Sequence, residues 1–212
     1  MENYRTDEEQ VEALKQWWEK NGKFAILFGI LLIAGIVSGR VWMDFKQTSA
    51  GNASAEYDTM MIEMQDGKND SAMRRGAELM EKYKDTPYAA LSALAVAKME
   101  VEKGDLSAAG LRLKWVVDNA TLDNVDHIAR LRLIRVLIEE QKLDEALTYT
   151  NNAEPAKFKP EYDLLRGDIY AAKGQPDLAR TAYQAALDGE GLSPQTSDAV
   201  RLKLNDIGGA SS

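Results

Sequence analysis

From Phe24 to Met43 the chain reads FAILFGILLIAGIVSGRVWM, and its first sixteen residues carry no charge and one hydroxyl, Ser38. A helix rises about 1.5 Å per residue, so this stretch covers roughly the 30 Å hydrocarbon core of a bilayer, with Arg40 reaching back toward the headgroups. The expected organisation is a cytoplasmic segment with an interfacial helix at 1–23, a transmembrane anchor at 24–43 and a soluble domain at 44–212. A shorter reading, Phe24 to Gly39, has the length of a secretory-signal core. Against it, the preceding 23 residues are acidic and not a short basic start. No convincing small-x-small cleavage site follows directly, and Ala53-Ser54-Ala55, which has the right residues, lies too far downstream.

Orientation follows from basic residues. Arg5, Lys15, Lys20 and Lys23 precede the span, whereas only Arg40 and Lys46 follow it within a comparable length. Carboxylates contribute little to this rule, so the N-terminus is expected in the cytoplasm and the C-terminal domain in the bacterial periplasm. In VEALKQWWEKNGK, Val11, Leu14, Trp17 and Trp18 fall near one face of a short helix, and tryptophans there anchor at headgroup level. Within the span, Gly35 and Gly39 form a small-xxx-small step, as do Ala25 and Gly29, and such steps allow close packing of a second membrane helix. Gln47 to Ala55, rich in Ser, Ala, Gly and Asn, reads as a linker.

The part beyond Met43 carries 21 basic and 28 acidic residues, a balance that disfavours nucleic acid or an anionic lipid surface as its main partner. There is no cysteine and a single histidine, His127, so thiolate chemistry and multi-histidine metal sites are excluded. His127 opens a helical pattern and reads as a solvated or capping residue. No catalytic, cofactor-binding or metal-binding constellation is expected. Asp123-Asn124-Val125-Asp126 lacks the remaining spacing of a calcium loop.

Strand signals are nearly absent, and the internal periodicity is more informative. Four turn-and-helix starts superpose: Gly67 to Ala72, Gly104 to Ala109, Gln141 to Ala146 and Gly174 to Ala179, with the alanines 37, 37 and 33 residues apart. This brackets the 34-residue tetratricopeptide period. The last unit is the fullest, with Gly167 and Ala179 small at the helix crossing, Tyr170 and Tyr183 filling the space beside it, and Pro194 slightly late. Ala97 marks the crossing of the second unit; Leu143, Ala146 and Ala153 preserve the third, where Ile134 replaces the small residue. The first unit, around Ala72 and Leu79, is little more than two amphipathic helices. A final helix begun by Ser193 or its neighbourhood, Asp198 to Ile207, is expected to cap the stack through Val200, Leu204 and Ile207, with Gly208 to Ser212 disordered. The fold class is therefore all-α: an N-terminal transmembrane helix, then a tetratricopeptide-like α-solenoid of about four degenerate helix pairs plus a capping helix.

The acidic N-terminus, Val11-Glu12-Ala13, Glu19-Lys20-Asn21-Gly22-Lys23, the immediate span, and Leu165-Arg166-Gly167 with Lys173-Gly174 in the last repeat together resemble the YfgM family of bacterial inner-membrane proteins. The resemblance covers nearly the whole chain. It implies an N-in anchor, a periplasmic repeat domain, and association with the SecYEG translocon and the periplasmic chaperone PpiD.

In stacked helix pairs the first helix of each unit lines a concave surface. The repeat register places Leu94, Lys98, Val101 and Glu102 there from the second unit, Leu131, Arg135, Ile138 and Glu139 from the third, and Leu164, Asp168 and Ala172 from the fourth. Such a mixture suits a polypeptide, although Leu131 and Leu164 would serve equally well in packing between repeats. The expected function is a non-enzymatic, membrane-anchored protein-binding scaffold, ancillary to the Sec translocon and cooperating with periplasmic chaperones. A self-assembling repeat scaffold and an anchored enzyme are the alternatives from other classes.

Overall fold

The computed structural model describes residues 7–151 and 156–209, and every regular element among them is helical. The chain divides into two units, Met1–Ser49 and Ala50–Ser212. Glu2, Arg5 and Ala153 lie outside the described residues, as do Ala210 to Ser212.

Helix α1 runs from Asp7 to Gln65 without interruption. The expected linker Gln47 to Ala55 is thus helical throughout, and the segment before the span is not a separate short helix. Within the first unit α1 contains a stretch long and apolar enough to cross a membrane. Its apolar side chains project outward all round, from Ile26, Phe28 and Leu31 to Ile36 and Val41, as they do on a helix whose surroundings are themselves apolar. The flanks carry aromatic and basic side chains. Trp17 and Trp18 lie with ring centroids 6.5 Å apart, Gly22 packs on the Trp18 indole, and the Lys46 ammonium sits 4.1 Å from the Trp42 ring centre.

The second unit is a stack of helix pairs. The C-terminal part of α1 pairs with α2 (Asn69–Lys82), α3 (Pro87–Glu102) with α4 (Leu106–Asn119), α5 (Val125–Glu139) with α6 (Leu143–Asn151), and α7 (Lys159–Ala172) with α8 (Pro176–Asp188). A short 3-10 turn, Ala156–Phe158, precedes α7, and α9 (Pro194–Gly209) closes the stack.

The four superposed turns are one structure used four times. Gly67, Gly104, Gln141 and Gly174 all adopt positive φ, at 74°, 82°, 59° and 69°. The amide of each following residue reaches back to the carbonyl five residues earlier: Lys68 to Glu63, Asp105 to Glu100, Lys142 to Leu137 and Gln175 to Tyr170, at 2.8–2.9 Å. This is the Schellman cap, which satisfies helix-end carbonyls and favours glycine because a Cβ is disfavoured at left-handed φ. Five residues after each turn residue stands an alanine with no exposed surface: Ala72, Ala109, Ala146 and Ala179.

Between these turns the helices bury three clusters. Ala53 and Met60 of α1 pack with Ala72, Leu79, Val96 and Met99. A central core runs from α3 to α7 through Leu113, Ile134, Leu137, Leu165 and Ile169. At the C-terminal end Tyr183, Ala186 and Val200 pack with Leu204 and Ile207, so α9 caps the stack through the expected residues. It begins in the expected neighbourhood of Ser193, whose hydroxyl accepts the Thr196 amide at 3.1 Å, and Pro194 suits the first turn. It also continues to Gly209, so Gly208 and Gly209 are helical, contrary to the expected disorder. The first pair is further fastened by Arg75, whose guanidinium meets Glu63 at 2.9 Å and also Glu56.

Candidate protein-binding surface

Helices α3 and α5, the first members of the second and third pairs, stand on the same side of the stack with α4 behind them. Between them lies a groove of about 350 Å³ lined by Leu94, Ala97, Lys98, Val101 and Glu102 of α3, Leu113 of α4, and Arg132, Arg135 and Val136 of α5. The floor is aliphatic and the polar groups stand at the rims. On the α3 rim the Lys98 ammonium lies 3.6 Å from Glu102. On the α5 rim the Arg135 guanidinium makes one long hydrogen bond, 3.5 Å, to the Leu131 carbonyl. Burial lowers the Arg135 pKa from the usual arginine value; the Asp168 charge opposes this, the neighbouring Arg132 charge adds to it, and Glu161 opposes it weakly.

Five of the residues expected on the concave surface therefore share one groove: Leu94, Lys98, Val101, Glu102 and Arg135. The rest are placed elsewhere. Leu131 is buried in the central core, with Ile138 packed partly buried against it, and Leu164 is buried in the C-terminal core. Glu139 and Ala172 are exposed at the ends of α5 and α7. The Asp168 carboxylate accepts the Tyr183 hydroxyl at 2.7 Å and meets the Lys203 ammonium at 2.5 Å, so it ties α7 to α8 and α9. Burial first, and the Asp168 contact second, raise the Tyr183 pKa above the ordinary phenol value.

Sequence reasoning missed Ala97, Leu113, Arg132 and Val136 as groove residues. Arg132 was accessible to it, because a residue three before Arg135 lies one turn away on nearly the same helix face. Leu113 was not, since the second helix of a pair enters the groove only through the depth of the fold.

His127 departs from its expected role as a solvated or capping residue. It is buried, with Nδ1 3.1 Å from the Tyr162 hydroxyl and its ring stacked on Phe158 at 4.8 Å. It is a core contact joining α5 to α7. Among the described residues no three of His, Asp and Glu converge as a metal site.

In the span, a methyl built on Gly29, Gly35 or Gly39 meets nothing within 4 Å. The Gly35–Gly39 step is open to whatever surrounds the helix. The side chain of Ala25, partner of Gly29 in the other step, is outside the described residues.

A stack of helix pairs with a Schellman turn in each and an open groove on its first-helix side is a repeat protein built for protein contacts. Residues 15–209 match the tetratricopeptide repeat-like domain family, and the chain belongs to it. Three relatives match almost end to end, each named an ancillary SecYEG translocon subunit. That of Haemophilus influenzae is 31% identical over 203 residues, 95% of this chain and 97% of its own length. The Escherichia coli K12 protein is 29% identical over 98% and 99%, and the Neisseria gonorrhoeae protein 25% over 95% and 97%. Within the repeat family the chain thus belongs to the YfgM group of ancillary translocon subunits, as the sequence resemblance implied.

Proposed function

We propose that this chain is an ancillary subunit of the Sec translocon, held in the bacterial inner membrane by α1 and engaging other proteins through the inner groove of its repeat domain. The observation that carries this reading is the extent of the match: relatives bearing that name align through both the apolar helix and all four helix pairs. The excess of basic residues before the span supports a cytoplasmic N-terminus and a periplasmic repeat domain. A periplasmic chaperone, PpiD by resemblance, is the expected second partner, and a non-enzymatic role suits a domain whose open feature is an aliphatic groove.

Affinity purification of the full-length chain from detergent-solubilised membranes tests the assignment. SecY should be retained on the tagged chain and absent from a control carrying an unrelated single span. Equal recovery from both would remove the proposal. Alkaline phosphatase fused after Ser212 should be active, and an inactive fusion would reverse the orientation.

A further inference from the structure

We infer that the groove between α3 and α5 takes an acidic, aliphatic peptide segment of a partner protein, its apolar side chain seated on Ala97, Val101 and Leu113 and its carboxylate against Arg132 and Arg135. This deepens the proposed function and rests on its reading of the inner face as a protein-binding surface.

The argument is one of charge complementarity over an apolar floor. The two rims differ. On α3, Lys98 is already matched by Glu102 one turn away. On α5, neither Arg132 nor Arg135 has a carboxylate within ion-pair distance among the described residues; Asp168 and Glu161 act on Arg135 from farther away, and the two guanidiniums oppose one another. Such a pair is notable in a domain where acids outnumber bases by 28 to 21. Of the domain's other seven arginines, Arg75, Arg112, Arg130, Arg166 and Arg201 each meet a carboxylate of this chain. Two adjacent guanidiniums that line an apolar groove and touch no carboxylate of this chain, Asp168 and Glu161 acting on Arg135 only from beyond ion-pair contact, leave their forks open to an anionic ligand, and arginine forks hold carboxylates in charge-assisted hydrogen bonds. The floor supplies the second requirement. Val101 is 42% exposed beside buried Ala97 and Leu113, and a groove of about 350 Å³ admits one or two aliphatic side chains and not a folded domain.

The test pans a random dodecapeptide phage library against the full-length protein in lipid nanodiscs. Enriched peptides should carry Asp or Glu within a few positions of Leu, Ile, Val or Phe. By fluorescence anisotropy an enriched peptide should bind about tenfold or more tightly than its Glu→Gln counterpart, with affinity falling as salt rises. The double variant Arg132→Glu, Arg135→Glu, shown by circular dichroism to melt as the parent does, should enrich basic peptides instead. Neutral or basic peptides enriched by the parent, no enrichment at all, or equal affinity for the Glu and Gln forms would overturn the inference. Retention of SecY by the same nanodisc-competent protein reports separately on the proposed function. Lost charge preference with SecY retained refutes only the ligand chemistry, whereas lost SecY retention with an acidic preference refutes only the translocon assignment.

Discussion

In the first helix pair, α2 comes so near α3 at Gly76 that a Cβ there would lie 2.4 Å from a Val96 methyl; in the last, α7 comes equally near α8 at Gly167, 2.4 Å from the Tyr183 ring. The first approach is between neighbouring pairs and the second within a pair. Both pairs use the same turn and the same fully buried alanine, Ala72 or Ala179. What varies is the place where a helix backbone lies directly against a neighbouring helix's side chain, and therefore where a glycine is favoured. The turn is a local problem with one economical solution, whereas a helix crossing is solved by any small residue facing any large one, so it drifts between repeats.

The largest effect is expected at the last pair. Ala179→Glu puts a carboxylate where no surface is exposed, and Gly167→Leu drives a side chain into a buried ring that cannot move aside. Each should destabilise the repeat domain by about 3 kcal/mol or more, read as loss of the main thermal transition by circular dichroism. Glu102→Ala, on the exposed groove rim, should melt with the parent. An unchanged melting temperature for Ala179→Glu would show the repeat register to be wrong.

Gly76→Ala is the matching break at the first pair. The obstructing atom is the end of a valine side chain, which can shift slightly, so a loss of about 1–3 kcal/mol is expected. Equal losses for Gly76→Ala and Gly167→Ala would mean that a valine methyl and a tyrosine ring yield alike. A larger loss at Gly167 would show that the rigidity of the facing group sets the penalty.

These contrasts also explain what the sequence revealed. The four turns were legible because a left-handed residue followed five positions later by alanine is a short-range signature. The last pair was legible because its crossing follows the common pattern. Gly76 was not, since its partner Val96 lies in the next pair and no local spacing points to it. The linker reading of Gln47 to Ala55 rested on weak intrinsic helix formers such as Gly51, Asn52 and Ser54. Tertiary burial prevails there: Ala53 and Met60 have no exposed surface, and an existing helix is extended without a new nucleation step. His127 was misread for the same reason, because Tyr162, the residue that makes it a core group, is 35 positions away.

Between the two end pairs, α3 carries a buried carboxylate, Glu100, whose Oε2 has no hydrogen-bond partner and whose Oε1 lies 3.4 Å from Arg112. Burial pushes this carboxyl up from the usual range, against the opposing pull of Arg112. A raised folded-state pKa means that the ionised form opposes folding at neutral pH, and this penalty disappears as pH falls through the folded pKa toward the unfolded value of about 4. Glu100→Gln should therefore raise the melting temperature by a few degrees at pH 7, for about 1 kcal/mol, and give no gain near the unfolded pKa. A gain that persists unchanged in acid would trace the effect to packing.

At the turns themselves the exception is Gln141, the one left-handed position of the four without glycine. Gln141→Gly removes the Cβ penalty but frees the unfolded chain, so the net gain should be about 0.5 kcal/mol. A loss would mean that the Gln141 side-chain amide, which donates to the Ile138 carbonyl at 3.3 Å, outweighs the backbone strain.

The smallest effect is expected from a ladder with one rung missing. Lys103, beside the second turn, pairs with Asp70 in the first turn of α2 at 2.8 Å, and Lys173, beside the fourth, pairs with Asp144 in the first turn of α6. The corresponding positions between them hold Glu140 and Ser107, so no such pair forms there. Lys103 holds the Asp70 carboxyl below the usual carboxylate range through its hydrogen bond, so any stability this pair lends is present above the unfolded pKa and lost as pH falls through the lowered one. Asp70 is widely exposed, however, and an exposed pair is screened by water and salt while two long side chains give up rotamer freedom. Asp70→Asn should accordingly change the melting temperature by about 1 °C or less at physiological salt. Building the missing rung with Ser107→Asp and Glu140→Lys should be equally slight, and visible only in low-salt buffer. A shift of several degrees from either change, surviving high salt, would mean that the rungs fix the stacking of neighbouring pairs, which the glycine contacts and buried alanines are here held to do.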